Sequence, residues 1–114
     1  HPLPMLLERG ASVALGTDGL CTNPDLSLLE EMRHVAREFP QLPPERILQL
    51  GTLDGAQALG LAAEVGSLTP GKRADFIVFE ESSWEREPCA ALLHHPALIG
   101  DVYYRGRNVA DFVT

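Results

Sequence analysis

The run Ala11–Leu15 (ASVAL) restricts the fold more than any other stretch of the chain. It is almost wholly apolar and offers no polar face, so a strand here is expected to be covered on both sides, as in a parallel sheet. Just before it, Met5–Arg9 has amphipathic helical spacing and Gly10 supplies a stop. A helix, a glycine and a buried strand make the back half of a βαβ unit. The strand runs into Gly16-Thr17-Asp18-Gly19, so Asp18 emerges at its C-terminal end between glycines that let backbone or ligand approach. In a (β/α)8 barrel, catalytic side chains leave from that end. A carboxylate there can ligate a metal ion or act as a general base on the ion's water. An Asp in such a loop can equally be a turn former or a cap.

Downstream the chain is helical at first. Asn23-Pro24 pairs a capping side chain with a proline suited to the first helical position, which predicts a helix from about Asp25 to Phe39. Leu28, Leu29, Met32, Val35, Ala36 and Phe39 form its apolar stripe. Pro40 ends it, Pro43-Pro44-Glu45 opens a second helix through Leu50, and Thr52 is expected to cap a third ending near Gly60. From Leu61 the character changes. Val65–Leu68 reads as a short extended piece, Pro70-Gly71 as a turn and Phe76–Phe79 as a strand. Pro88–Leu93 suits a helical turn. Val102–Arg105 and Asn108–Val113 are expected strands around an Arg105-Gly106-Arg107 hairpin turn. Residues 1–60 and 61–114 are therefore expected to be distinct parts, the first helical after its one strand and the second β-rich.

Sixteen Asp and Glu against nine Lys and Arg give a formal charge of −7. Nucleic acid and anionic membrane surfaces require clustered positive charge, so neither is an expected partner. Cys21 and Cys89 form no framework pattern, which points to a reducing cytoplasm. No apolar run nears the ~18 residues that would span a bilayer. The opening His1-Pro2-Leu3-Pro4 reads as the interior of a longer protein or a processed start.

Several linked segments together resemble one enzyme family. Val13–Gly19 (VALGTDG) looks like the last barrel strand of the metal-dependent amidohydrolase superfamily. The branch in question holds cytosine, guanine, methylthioadenosine/adenosylhomocysteine and aminodeoxyfutalosine deaminases and the triazine hydrolases. Thr22–Leu26 with Leu29–Met32 is similar to the loop and helix that follow. Gly51-Thr52, Gly55-Ala56 and Ala58–Leu61 resemble the family's T-x-x-G-A-x-x-L-G helix. Val65–Leu68, Pro70–Lys72 and Ala74–Phe76 resemble its G-S-L-x-P-G-K-x-A-D return, and Val102–Val109 its final hairpin.

The resemblance implies an α/β chain: the C-terminal portion of a (β/α)8 barrel over residues 1–60, then part of a small composite β-sandwich over 61–114. It implies that Asp18 is both metal ligand and catalytic proton carrier. The ion, zinc or iron, would lower the pKa of a water toward neutrality, and that water would displace ammonia from a ring carbon of a small-molecule substrate. The family's H-x-H motif, its later metal histidines and its acidic glutamate have no counterpart here. One carboxylate cannot hold a catalytic metal, so the chain alone is expected to be inactive. Its apolar strand lacks neighbours, so it is expected to form a homo-oligomer or to need a chain that supplies the rest of the barrel. A cyclic-amide hydrolase resembling imidazolonepropionase, or a non-catalytic assembly module, are the alternative readings.

The remaining polar residues have plain explanations. His94-His95 can suggest a metal, but adjacent side chains do not converge on one ion. His34 is expected on a helix surface or in packing, Cys21 as a small buried hydrophobe rather than a residue lining the pocket mouth, and Lys72-Arg73 in a solvated turn rather than a phosphate site. Trp84 reads as a loop anchor or an interface residue.

Overall fold

The computed structural model describes residues 2–21, 25–80 and 86–112. Helix α1 is Leu3–Glu8, α2 Leu28–Glu38, α3 Pro44–Leu50, α4 Leu53–Ala58 and α5 Pro88–His94. Strand β1 is Phe76–Glu80, β2 Leu98–Tyr104 and β3 Arg107–Asn108, followed by a 3-10 turn over Val109–Phe112. No helix among the described residues is long and apolar enough to cross a membrane.

Helix α2 starts three residues later than the sequence suggested. Asn23 lies outside the described residues, and the capping role belongs to Ser27, whose hydroxyl accepts the Glu30 N–H at 3.2 Å. Asp25 instead closes a turn by accepting the Ser27 N–H at 2.9 Å. Once started, the stripe behaves as its period demands: Met32, Val35 and Ala36 are buried. Helix α3 begins at Pro44, where a missing N–H has no intrahelical acceptor to lose. Thr52 precedes α4, yet its hydroxyl does not cap it; it donates back to the Leu48 carbonyl at 2.7 Å.

The core lies among the helices. Leu3, Met32, Val35, Ala36, Ile47 and Leu93 form one buried cluster, with Leu7, Val13, Leu15 and Phe39 packed against it. Leu93 comes from α5, so the segment between β1 and β2 returns to the helical layer. Arg33 fixes it there: its guanidinium pairs with Glu30 at 2.6 Å and donates to the carbonyls of Leu92 at 3.0 Å and His95 at 3.2 Å. These are carbonyls that the end of α5 leaves unmet.

The three strands form one antiparallel sheet in the order β1-β2-β3. Phe76 faces Tyr103 with rings stacked at 4.7 Å, and Ile77 faces Val102. The register then slips: Val78 pairs with Asp101 but Phe79 with Ile99, leaving Gly100 as a bulge. A side chain at Gly100 would meet the Glu80 side chain at 2.8 Å and the Val78 carbonyl at 3.3 Å. Of the expected strand over 108–113 only Asn108 belongs to the ladder, and the 3-10 turn follows at once, because the Asn108 side chain accepts the Ala110 N–H at 3.0 Å and bends the chain. Val65–Leu68 forms no strand either.

Candidate active-site loop

Residues 11–16 alternate between half-buried and exposed, Ala11, Val13 and Leu15 on the covered side and Ser12, Ala14 and Gly16 on the open one. That is the periodicity of extended backbone with one face packed, where the sequence suggested two. Val13 and Leu15 pack on the helical core. No strand lies alongside among the described residues, and the segment belongs to no ladder. Its backbone is anchored at two amides, Ala11 N–H to the Leu6 carbonyl at 2.9 Å and Leu15 N–H to the Leu50 carbonyl at 3.3 Å.

Open clefts border the segment. One, about 250 Å³, lies between Ala11–Ala14 and the side chains of Arg46, Asp54 and Gln57. Arg46 and Asp54 pair at 2.5 Å, and Gln49 adds a bond to Asp54 at 3.3 Å, which fixes α3 against α4. The other, about 520 Å³, runs from Ala14–Gly16 to Gly51, Ala56 and Gly66, and its lining is apolar.

Asp18 is exposed and stands at the end of this segment with φ 57°, a left-handed conformation that few non-glycine residues adopt. A Cβ built on Gly16 or Gly19 meets nothing within 4 Å, so the glycines leave open space on both sides of the aspartate. Leu20 (66% exposed) and Cys21 follow on the surface, which corrects the expectation of a buried cysteine.

The other polar candidates do not join it. Among the described residues no three His, Cys, Asp or Glu side chains stand close enough to hold a metal ion, so these residues by themselves do not fit a catalytic metal. His94 and His95 lie at the end of α5, beside Arg33 and Arg37. His34 is an exposed residue of α2. Arg73 is not in a solvated turn: it pairs with Asp75 at 2.8 Å and lies over the Tyr104 ring. His1 and Trp84 fall outside the described residues.

This arrangement matches known proteins. The 5-methylthioadenosine/S-adenosylhomocysteine deaminase of Syntrophobacter fumaroxidans is 37% identical over 114 aligned residues, which cover 94% of this chain and 25% of that enzyme. The 5'-deoxyadenosine deaminase of Methanosarcina barkeri is 40% identical over 101 residues, covering 82% of this chain and 23% of the relative. An adenosine deaminase from Xanthomonas campestris, solved with bound zinc, superposes with a TM-score of 0.79 at 29% identity over 94% of this chain and 27% of that one. The chain thus spans about a quarter of the length of these relatives. The amidohydrolase family model matches residues 1–109. With nearly its whole length matched, the chain belongs to the amidohydrolase family.

Proposed function

We propose that this chain is the C-terminal part of a metal-dependent enzyme that hydrolytically deaminates an adenosine-like compound. In this reading residues 1–60 end a (β/α)8 barrel and 61–114 contribute to a small β-sandwich. Segment 11–16 is then the last barrel strand, and the clefts beside it are filled by polypeptide from elsewhere in the enzyme. The observation that carries the reading is the position of Asp18, at the open end of a one-sided, ladderless segment and flanked by glycines with free space. The relatives named as deaminases of 5-methylthioadenosine, S-adenosylhomocysteine and 5'-deoxyadenosine support the substrate class.

In this reading Asp18 would be one of the residues that hold a zinc or iron ion, together with ligands from the rest of the enzyme. When bound, the ion makes water acidic enough to be a nucleophile near neutral pH. In the complete enzyme Asp18 would take up the proton released by the attacking water. That proton would pass to the amino group, which would leave as ammonia as the C–N bond breaks.

The test uses the complete polypeptide. Asp18→Asn keeps the volume and removes the charge, and is expected to lower ammonia release from 5'-deoxyadenosine by roughly 10³-fold while leaving the thermal transition in place. Near-normal turnover in that variant would sink the assignment. The 114-residue chain alone should retain much less than one equivalent of zinc and release no ammonia.

A further inference from the structure

Given the role proposed above for Asp18, we infer that Gly51 is a positioning residue for that aspartate, acting through the Leu50 carbonyl and Leu15. Gly51 follows α3 at φ −92° and ψ −1°, a right-handed conformation open to any residue. The backbone therefore gives no reason for glycine. Space does: a Cβ here would lie 2.5 Å from Met32 Sδ, 3.0 Å from its Cγ and 3.3 Å from its Cε. Met32 has little room to swing aside, because it is buried in one cluster with Leu3, Val35, Ala36, Ile47 and Leu93. The bare backbone of Gly51 is thus the surface on which α2 closes.

The same junction holds the segment that carries Asp18. A helix end leaves carbonyls to be met. At α3 the Leu48 carbonyl accepts the Gly51 N–H at 3.2 Å and the Thr52 hydroxyl at 2.7 Å, and the Gln49 carbonyl accepts the Thr52 N–H at 3.2 Å. The Leu50 carbonyl, joined directly to Gly51, accepts the Leu15 N–H at 3.3 Å. Leu15 also packs its side chain on the helical core, so it is tied at both amide and side chain, three positions before Asp18. All of these contacts join parts of this one chain, and Met32 and Leu50 are already buried by it.

A side chain at position 51 must part α2 from the α3–α4 junction, and the Leu50 carbonyl moves with that junction. Leu15 then follows its acceptor or loses it, and either outcome shifts the end of the segment where Asp18 stands. Displacing a reacting group by about an ångström can cost roughly 10²-fold in rate. The loss falls on turnover and not on substrate affinity, since the work of Asp18 is on the attacking water.

Steady-state kinetics of the complete polypeptide with 5'-deoxyadenosine, below the thermal transition of every variant, provide the test. Gly51→Ala should lower kcat roughly 10- to 100-fold and leave KM within about threefold. Amide exchange at Leu15 should accelerate roughly tenfold in the same variant. In the Gly51→Ala background, kcat should climb with Met32→Val and further with Met32→Ala, which removes all three colliding atoms. That comparison stands even where Gly51→Ala alone does not fold. Leu93→Ala weakens the same core without touching the Leu15–Leu50 contact, and should leave kcat within about twofold. A wild-type kcat in Gly51→Ala overturns the inference. So does a loss expressed in KM alone, a loss shared equally by Leu93→Ala, or a kcat indifferent to the size of residue 32. With Asp18→Asn inactive, those results refute the positioning role alone; an active Asp18→Asn refutes the role of the aspartate and this inference together.

Discussion

The carboxylate of Asp75 accepts the backbone N–H of Arg105 at 2.7 Å, across thirty residues of sequence. Its other oxygen meets Arg73 at 2.8 Å, and the neighbouring Ala74 carbonyl accepts the Gly106 N–H at 2.8 Å. The stretch before β1 therefore holds the hairpin tip by its backbone, and two segments that the sequence suggested separately are one structural unit.

Asp75→Ala should loosen that unit. A charge-assisted bond to an exposed amide contributes about 1 kcal/mol. Amide exchange at Arg105 and Gly106 should accelerate roughly tenfold, with the α1–α4 amides unaffected. Unchanged protection at the tip would show that the turn holds its shape without the carboxylate.

Gly66→Ala is expected to destabilise more than Gly71→Ala. Both glycines have positive φ, +100° and +93°, so each substitution carries a left-handed penalty of about 1 kcal/mol. Only at Gly66 would the new Cβ also meet Ala56 Cβ at 2.8 Å and Leu53 Cα at 3.0 Å, groups that cannot swing away. The overlap should add about 1–3 kcal/mol, visible as a lower urea midpoint.

The two cysteines should react in a fixed order. Burial, and secondly the charge of Glu45, push the Cys89 thiol above its ordinary pKa, whereas Cys21 is exposed. Thiolate is the reactive form, so at pH 8 iodoacetamide should modify Cys21 first, with Cys89 catching up only as the pH passes its raised value. Glu45→Gln should speed modification of Cys89 and leave Cys21 unchanged. Equal rates at pH 8, read by mass spectrometry, would contradict this.

Much of this was legible in the sequence because it rests on covalent geometry. Pro44 starts α3 and Gly106 permits the hairpin turn for reasons local to those residues. The start of α2 was not, because Asn23 and Ser27 are both good capping residues; the spacing of Ser27 and Glu30 was the signal that separates them. Nor could composition say that this chain itself packs only one face of segment 11–16. Apolar content says that a residue can be buried, while the number of covered faces depends on what packs alongside. Asp18 could be singled out by its place between glycines, but its left-handed backbone needed coordinates.

Leu93→Ala tests how firmly α5 belongs to the helices. Leu93 is 2% exposed within their core, so truncation should cost about 2–5 kcal/mol. The loss should appear in the unfolding of the whole helical layer, followed by tryptophan-independent far-UV dichroism. A loss below about 1 kcal/mol would mean that the site collapses around the missing atoms.

The return of α5 to α2 and α3 between two paired strands also makes the chain interleaved. Everything after β1 contributes one piece to the helices, through Leu93, and another to the sheet, through β2. If the gene were divided between β1 and α5, neither half would hold a whole layer, and each would present a surface that fits only the other. Such halves should recombine when mixed, as in split-protein complementation, and the junction should tolerate a free pair of ends better than it tolerates the removal of either half.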